Sequence, residues 1–362
     1  MLRCEDGVTR ILDRAGRQVR EFRFDAGRGR VTRSSFTRDK STNYFFSVPA
    51  NGTMVVADAA TGRLLPPIPI EGEIANLQRT EKWFLWLEGI PGSGVLSTEA
   101  HLRDMATGAT ALTLRVPAGI FVTALSPTGQ QLAVAQREGA DNALFLRRYS
   151  LPDLAPLGPA QPIESATSSL PGMTLVFSPD GRYIVTWAPV LEVWDAQSGA
   201  RIVRLPAAGP SRSTGPWRIS PDSRTLTTFS NLGVVDVWDL GTGTARTAPL
   251  RHGGIVLDAT FSADGGTMMT TVTDRLVRLW NVASGQLLAE PTLQQRPAPV
   301  AALSPDRTQV TIGTREGAVY RFRIGQGRAK SVELPRAPRL MPAPFLPGAP
   351  SACSNCSAIA RG

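Results

Sequence analysis

The 362-residue chain has little of the residue types that carry most enzyme chemistry. It contains two histidines (His101 and His252), three cysteines and three lysines, and aromatic residues make up 7% of it. Three cysteines cannot form a disulfide framework in a chain of this length. With two histidines and no Gly-x-Ser-x-Gly motif, a Ser-His-Asp relay has few candidate members. No apolar run approaches about 18 residues, so we expect no membrane-spanning helix.

The positive charge of the chain comes almost entirely from arginine. The formal net charge is +9, and 36 of the 39 basic residues are Arg. A nucleic-acid-binding protein and a protein from a GC-rich genome can both have this composition. The densest basic stretch contains Arg28, Arg30, Arg33, Arg38 and Lys40. Because few aromatic residues for base stacking accompany it, nucleic-acid binding through this stretch is the less favoured alternative.

The sequences at the two ends of the chain predict its cellular location and the end of its folded domain. The N-terminus, MLRCEDGVTR, lacks the hydrophobic segment of a secretory signal, so we expect a cytoplasmic protein. Residues 335–362 are rich in proline, and we predict a disordered tail. In this tail Cys353 and Cys356 form a CxxC pair. A zinc site needs two further ligands, and no second CxxC or nearby histidine supplies them, so a chance pair is favoured over a metal site or a redox pair.

A repeat with a period of 42 residues organises the chain. Its most regular copies are FSPDG, ISPDS, FSADG and LSPDR, which begin at Phe177, Ile219, Phe261 and Leu303. Three earlier copies begin at Leu125, Leu77 and Phe36, at spacings of 52, 48 and 41 residues. A fixed period of this length indicates a repeat architecture.

A second motif follows most of these turns after a short alternating segment. It reads VVADAATG at 55–62, HLRDMATG at 101–108, EVWDAQSG at 192–199, DVWDLGTG at 236–243 and RLWNVASG at 278–285. Between the motifs, apolar and polar residues alternate in runs of five to seven, which is the period of a strand. No segment keeps a helical period over three turns. The sequence therefore predicts an all-β chain with four strands in each repeat.

In both motifs the chain resembles the WD40 repeats of bacterial proteins, strongly over 172–325 and weakly before 120. The resemblance implies a seven-bladed β-propeller at 25–334, preceded by a partial repeat at 1–24. We predict that residues 17–24 close the ring as the outer strand of the last blade. Alternatively, Met1 lies inside an interrupted blade of a longer polypeptide.

The resemblance also assigns a structural network. It implies that His252, Thr270, Asp274 and Trp280 form a buried set of hydrogen bonds that holds one blade together. Because such networks are satisfied internally, we interpret His252 as a structural residue and not as a catalytic base or a metal ligand.

Sixteen residues in excess of the repeat period predict a binding face. They fall in 88–101, in 136–142 and in the connection 155–172, which a WD40-like propeller places at one face over blades two to four. Neutral drift explains such insertions equally well. The candidate contact residues are Glu88, His101, Arg137, Glu138 and Asp141, with Arg137 as the strongest expected contact.

The function implied by the resemblance is a non-catalytic protein-interaction scaffold that needs no cofactor. Bacterial WD40 propellers commonly act as part of, or beside, signalling proteins such as Ser/Thr kinases. The rival interpretation is a propeller enzyme that resembles a lactonase or a quinoprotein, in which inward carboxylates hold a metal. The strands predicted nearest the axis carry few acidic residues, with Asp258 as the exception, so this interpretation is disfavoured.

Overall fold

The computed structural model describes strands between Leu2 and Glu333, and side chains in a smaller set of ranges. Side chains are described for most of 78–87, 99–108, 122–138, 143–164, 173–187, 190–205, 217–230, 232–274 and 276–289, and for residues 67–68, 112–115, 304 and 309. All regular secondary structure in the described residues is strand. Among those residues there is no helix of the length and hydropathy needed to cross a membrane. The prediction of an all-β chain is confirmed for this part of the protein.

The N-terminal part of the chain forms two antiparallel sheets. The first has three strands: β1 (Leu2–Arg3), β2 (Val8–Leu12) and β3 (Gln18–Arg23). The second has four: β4 (Val31–Phe36), β5 (Tyr44–Pro49), β6 (Thr53–Asp58) and β7 (Ile68–Pro69). Since β3 pairs with β2, the described pairings place residues 18–23 in this first sheet.

The next sheet has seven strands because one long strand belongs to two four-stranded groups. Its strands are β8 (Glu73–Arg79), β9 (Trp83–Gly89), β10 (Ser97–Asp104), β11 (Thr110–Leu125), β12 (Gln131–Glu138), β13 (Ala143–Ser150) and β14 (Gln161–Pro162). The beginning of β11 pairs with β10, and its end pairs with β12. β11 is therefore the fourth strand of one group and the first strand of the next.

Four further sheets follow, each with four strands in chain order. The first comprises β15 (Thr174–Phe177), β16 (Tyr183–Trp187), β17 (Leu191–Asp195) and β18 (Arg201–Leu205). The second comprises β19 (Trp217–Ile219), β20 (Thr225–Phe229), β21 (Val234–Asp239) and β22 (Leu250–Arg251). The third comprises β23 (Val256–Phe261), β24 (Thr267–Val272), β25 (Val277–Asn281) and β26 (Leu287–Ala289). The last comprises β27 (Val300–Leu303), β28 (Gln309–Gly313), β29 (Val319–Arg323) and β30 (Val332–Glu333).

The two sequence motifs fall at the same places in successive sheets. The first motif starts at the last residue of β4, β11, β15, β19, β23 and β27, and within β8 in the remaining copy. The aspartate or asparagine of the second motif ends β6, β10, β17, β21 and β25. One repeat of the sequence is thus one group of four antiparallel strands.

The turn between the first and second strands follows from its own residues. In one copy the Ser178 hydroxyl donates to Asp180 Oδ1 at 2.6 Å and accepts the backbone N–H of Tyr183 at 3.0 Å. Ser220 and Ser262 make the same contacts in the next two sheets. Because all partners lie within five residues, a short motif is enough to specify this turn.

The hydrophobic core lies between consecutive sheets. Trp194 of β17 packs against Leu144 and Leu146 of β13, in the sheet before it. The opposite face of the β15–β18 sheet supplies Val185 and Val193, which share a core with residues of the following sheet. Multiple antiparallel four-stranded sheets stacked in this way are consistent with a β-propeller.

The number of blades and the closure of the ring stay predictions, as do the boundaries of the domain at 25–334. The last sheet has a fourth strand of its own, β30, which pairs with β29. The predicted closing role of residues 17–24 is therefore not among the described pairings. The tail at 335–362, with Cys353 and Cys356, lies outside the described residues.

Candidate functional site

Three of the four predicted network residues are joined in one chain of hydrogen bonds. The indole Nε1–H of Trp280, on β25, donates to the hydroxyl of Thr270, on β24, at 3.0 Å. The same hydroxyl lies 3.0 Å from Nε2 of His252, which follows β22. Nδ1 of His252 lies 3.1 Å from the carbonyl oxygen of Gly233. The network thus connects the β23–β26 sheet to a turn of the β19–β22 sheet.

The direction of these hydrogen bonds fixes the protonation of the imidazole. A carbonyl oxygen can only accept, so Nδ1 of His252 carries the proton that is donated to Gly233. In the neutral imidazole, which burial favours, Nε2 is then the acceptor, and the Thr270 hydroxyl donates to it while accepting from Trp280. Burial is the main cause of a lowered pKa of His252, while the hydrogen bond to Gly233 opposes the shift and the charge of Arg278 adds to it. Both ring nitrogens of the neutral imidazole are occupied within the protein.

The fourth predicted residue, Asp274, has different partners in the structure. Its carboxylate accepts the backbone N–H of Leu276 at 3.0 Å and pairs with Arg278 Nη1 at 2.8 Å. The described hydrogen bonds do not join Asp274 to His252. Asp274 therefore shapes the tight turn between β24 and β25, next to the three-residue chain of hydrogen bonds.

The Trp–Thr hydrogen bond recurs in the two preceding sheets. Trp194 Nε1 donates to Thr186 Oγ1 at 2.9 Å, and Trp238 Nε1 donates to Thr228 Oγ1 at 3.0 Å. Each links the third strand of a sheet to its second strand, as in the β23–β26 sheet. Of the network seen in the β23–β26 sheet, each of these two sheets keeps the Trp–Thr hydrogen bond.

An arginine takes the position of the tryptophan in the β8–β11 group. Arg103 is opposite Phe84 in the β9–β10 pairing, as Trp280 is opposite Met268 in the β24–β25 pairing. Its side chain is buried, and its Nε and Nη1 have no hydrogen-bond partner in the part of the chain that the structure describes. Burial lowers the pKa of Arg103. The sequence contained a signal for this exception, because HLRDMATG has arginine where three other copies have tryptophan.

The predicted binding-face residues lie mostly on strands, next to the connections that contain the insertions. Glu88 is on β9, and His101 is on β10, where its imidazole stacks on Trp86 with ring centroids 5.0 Å apart. The Nδ1 of His101 lies 3.2 Å from Thr113 Oγ1. Glu99 Oε2 lies 3.3 Å from its Nε2. His101 is thus a half-buried residue of the sheet.

The residues of the second insertion are divided between a strand and its connection. Arg137 is on β12 with 8% of its surface exposed, and its role as the strongest contact stays a prediction. Strand β12 continues to Glu138, and this extension places Arg137 within the sheet. Glu138 is half-buried and pairs with Arg147 on β13, where Nη2 lies 2.9 Å from Oε2. Asp141 lies outside the described residues.

Sequence reasoning did not find the connection that Arg148 makes between sheets. Its guanidinium, buried at the end of β13, donates to the carbonyl oxygens of Ala196, Gln197 and Ser198 at 2.9, 2.8 and 2.9 Å. It also donates to the carbonyl oxygen of Leu157. Four backbone carbonyl oxygens thus bind the guanidinium of Arg148, which links two consecutive sheets. Burial lowers the pKa of Arg148.

The features considered for catalysis have other partners in the structure. Asp258, the acidic exception on the first strands, pairs with Arg218 Nη2 at 2.7 Å. Among the described side chains there is no group of three or more His, Cys, Asp or Glu residues that could hold a metal ion. Side chains of the basic stretch 28–40 lie outside the described residues.

Comparisons with known proteins agree with the repeat and its geometry. The WD domain, G-beta repeat family matches residues 247–281, which include His252, Thr270 and Trp280. The chain is 25% identical over 290 residues to Transducin beta-like protein 3 of Bos taurus, covering 77% of this chain and 34% of the relative. It is 29% identical over 91 residues to WD repeat and SOCS box-containing protein 1 of Takifugu rubripes, covering 25% of this chain and 21% of the relative. The chain spans about a third of the length of the first relative and a smaller part of the second.

A solved structure supports the fold. The crystal structure of the computationally designed Ika8 protein superposes with a TM-score of 0.58 at 19% identity, covering 88% of this chain and 91% of that chain. At this identity the likeness concerns the fold alone. Together with the repeat match and the two relatives, it supports a WD40 protein.

Proposed function

We propose that this WD40 protein is a non-catalytic scaffold that binds other proteins. The observation that carries the proposal is that the polar groups best suited to chemistry are used within the fold. Both nitrogens of His252 have partners in the network, and Asp258 pairs with Arg218. The stacked sheets form a rigid support, and the connections between their strands differ in length and sequence. Variable connections on a rigid support are a common location for the residues that bind a partner protein.

The face that we propose for binding contains the connections at 90–96 and 139–142. Each joins the second and third strands of a four-stranded group, so both lie at the same end of their strands. Glu88, His101 and Glu138 lie on the strands that lead into them. Arg137 stays a candidate contact, with 8% of its surface exposed.

The proposal also includes a cellular location and a class of partner. We infer that the chain acts in the bacterial cytoplasm, as part of or beside a signalling protein such as a Ser/Thr kinase. The resemblance of its repeats to those of bacterial WD40 proteins supports this setting. Copurification of the endogenous protein from a bacterial host that encodes it, followed by identification of a kinase at a fixed stoichiometry, would support the inference. A stoichiometric partner of another class would contradict it.

Affinity capture with matched variants tests the scaffold function. The tested variant has 90–96 shortened from seven residues to four, the length of the corresponding connection 273–276 in the β23–β26 sheet, and has 139–142, which already contains four residues, replaced by Gly-Ser-Gly-Ser. The control is Gln197→Ala, at an exposed residue in a turn at the opposite end of the strands. We expect saturable binding of a purified partner to the parent and the control, and weaker binding to the shortened chain. Absence of saturable binding to the parent would contradict the scaffold function, and full binding to the shortened chain would contradict this face.

A further inference from the structure

Three exposed aliphatic residues lie on neighbouring segments of the β19–β22 and β23–β26 sheets. Leu232 is 67% exposed, Ile255 is 47% exposed and Leu257 is 41% exposed. Leu232 is in the turn between β20 and β21, Ile255 directly precedes β23, and Leu257 is the second residue of β23. Single exposed leucines are common on protein surfaces, whereas a contiguous group of them indicates an interaction site.

Backbone contacts bring these segments together. The N–H of His252 donates to the carbonyl oxygen of Gly233 at 2.8 Å. A Cβ atom built on Gly233 would lie 2.4 Å from the carbonyl oxygen of Gly254. Leu232 and Ile255 are the neighbours of these two glycines in the chain, so the close approach brings their two segments together at one end of the strands. We call the exposed surface of Leu232, Ile255 and Leu257 the aliphatic surface.

The aliphatic surface stands on an ordered support. Ile255 is fixed by two hydrogen bonds to Thr273: its N–H donates to the Thr273 hydroxyl at 2.9 Å, and its carbonyl accepts the Thr273 N–H at 2.9 Å. The turn at Leu232 is held by His252, which contacts Gly233 through both its backbone and its ring. A preformed surface loses little entropy when a partner binds.

The charge beside this surface is positive. Arg251 is exposed and lies opposite Val234, two residues after Leu232, and no carboxylate of the described part of the chain pairs with it. Asp258 pairs with Arg218 at 2.7 Å, and Asp274 pairs with Arg278 at 2.8 Å. Asp236 of β21 is half-buried, and burial raises its pKa, which disfavours its charged form. Arg251 is therefore the exposed charge that a carboxylate of a partner would neutralise.

We propose that the aliphatic surface binds a peptide segment of another protein that has apolar side chains next to an aspartate or glutamate. Apolar side chains would cover Leu232 and Ile255, and the carboxylate would pair with Arg251. A second copy of the chain fits less well, because it would bring another Arg251 and another net charge of +9 to the same place. This inference rests on the proposed scaffold function and adds a partner class and a second sector, separate from 90–96 and 139–142.

Selection from a random peptide library tests the proposal. The immobilised parent selects displayed linear peptides, and the enriched sequences are synthesised for fluorescence anisotropy. The test variant is Leu232→Ser/Ile255→Ser. The control is Leu287→Ser/Leu288→Ser, which changes two leucines that are similarly exposed, 45% and 50%, on β26. A further variant, Arg251→Glu, reverses the charge.

We expect enriched peptides that combine apolar and acidic residues. Their affinity should fall about tenfold or more with the test variant and with Arg251→Glu, and stay unchanged with the control. Basic or purely polar peptides, or equal binding to the parent and the test variant, would overturn the proposal. Self-association of the parent that the test variant abolishes would also overturn it, in favour of a second copy as the occupant.

The scaffold function and this inference fail in different ways. Some peptides or partners would bind the parent and the Leu232→Ser/Ile255→Ser variant equally, but not the chain changed at 90–96 and 139–142. That result would leave the scaffold function intact and remove the aliphatic surface from it. Absence of saturable binding to the parent in both experiments would contradict the two proposals together.

Discussion

The Nδ1 atom of His252 lies 3.1 Å from the carbonyl oxygen of Gly233, in the sheet that precedes its own network partners. This contact gives the histidine two roles in the structure. Through Thr270 it belongs to the hydrogen bonds of the β23–β26 sheet, and through Gly233 it fixes the turn that presents Leu232. Histidine is often a catalytic residue, but His252 has a structural role here: it holds the turn that presents Leu232 of the aliphatic surface.

Replacing His252 should destabilise the protein. His252→Ala removes one partner each from the Thr270 hydroxyl and the Gly233 carbonyl, so we expect a loss of about 1–3 kcal/mol in the free energy of unfolding. Urea denaturation of parent and variant measures it, with Arg251→Ala as the control because that side chain is exposed. A variant as stable as the parent would remove His252 from the network and reopen a functional interpretation of it.

The same histidine should make stability depend on pH in a defined direction. The pKa of His252 is lowered in the folded protein by burial, below the ordinary value of 6.5 that applies to the unfolded chain. Below pH 6.5 the unfolded state therefore binds a proton before the folded state does, and the free energy of unfolding decreases as the pH falls towards the folded pKa. Well above pH 6.5, where the histidine is neutral in both states, this group contributes no pH dependence.

Comparison with His252→Gln isolates this effect from the other titrating groups. The stability difference, parent minus variant, should decrease from about pH 7.5 to about pH 5, the range around an ordinary histidine pKa. Chemical denaturation at several pH values measures both proteins. A difference that is constant over this range, or that grows on acidification, would contradict the assigned neutral state.

The sequence predicts the parts of this fold that depend on neighbouring residues. The Ser262–Asp264 turn and its copies bring together residues two to five positions apart, so a short motif identifies them. The Trp280–Thr270 pair also follows from the repeat, because the strands of a hairpin have a fixed register.

Contacts between sheets are the part that the sequence does not reveal. Arg148 finds its acceptors 48 to 50 residues further along the chain, in a turn whose position depends on how two sheets stack. The burial of Arg137 has a similar cause, since nearly every residue of β12 is buried on one face or the other and alternation gives no signal. The aliphatic surface likewise depends on two turns from different sheets.

Arg148 should be one of the most sensitive arginines of the chain. Arg148→Lys keeps the charge but cannot reach four carbonyl oxygens, so backbone acceptors at Ala196 and Gln197 lose their buried donor. We expect a loss of about 2–4 kcal/mol in the free energy of unfolding. The control is Arg182→Lys, at an exposed residue of the neighbouring turn, for which we expect little change. Equal stabilities of the two variants in urea denaturation would show that the connection between sheets is not significant.

Arg103 leads to the opposite expectation, a substitution that stabilises. Its side chain is 2% exposed, and among the described residues its Nε and Nη1 have no acceptor, so part of the guanidinium is removed from water without a compensating hydrogen bond. Arg103→Met keeps an unbranched chain of similar length and removes the charge. We therefore expect an increase of about 1–3 kcal/mol in the free energy of unfolding and a higher melting temperature.

Lysine at the same position serves as the control for this prediction. Arg103→Lys retains a buried cation at the position that tryptophan occupies in β17, β21 and β25, so it should not stabilise the chain. Differential scanning calorimetry of the parent and both variants distinguishes the effect of charge from the effect of shape. If Arg103→Met were less stable than the parent while Arg103→Lys were unchanged, the positive charge itself would be required at this position, and the buried guanidinium would have an acceptor in solution.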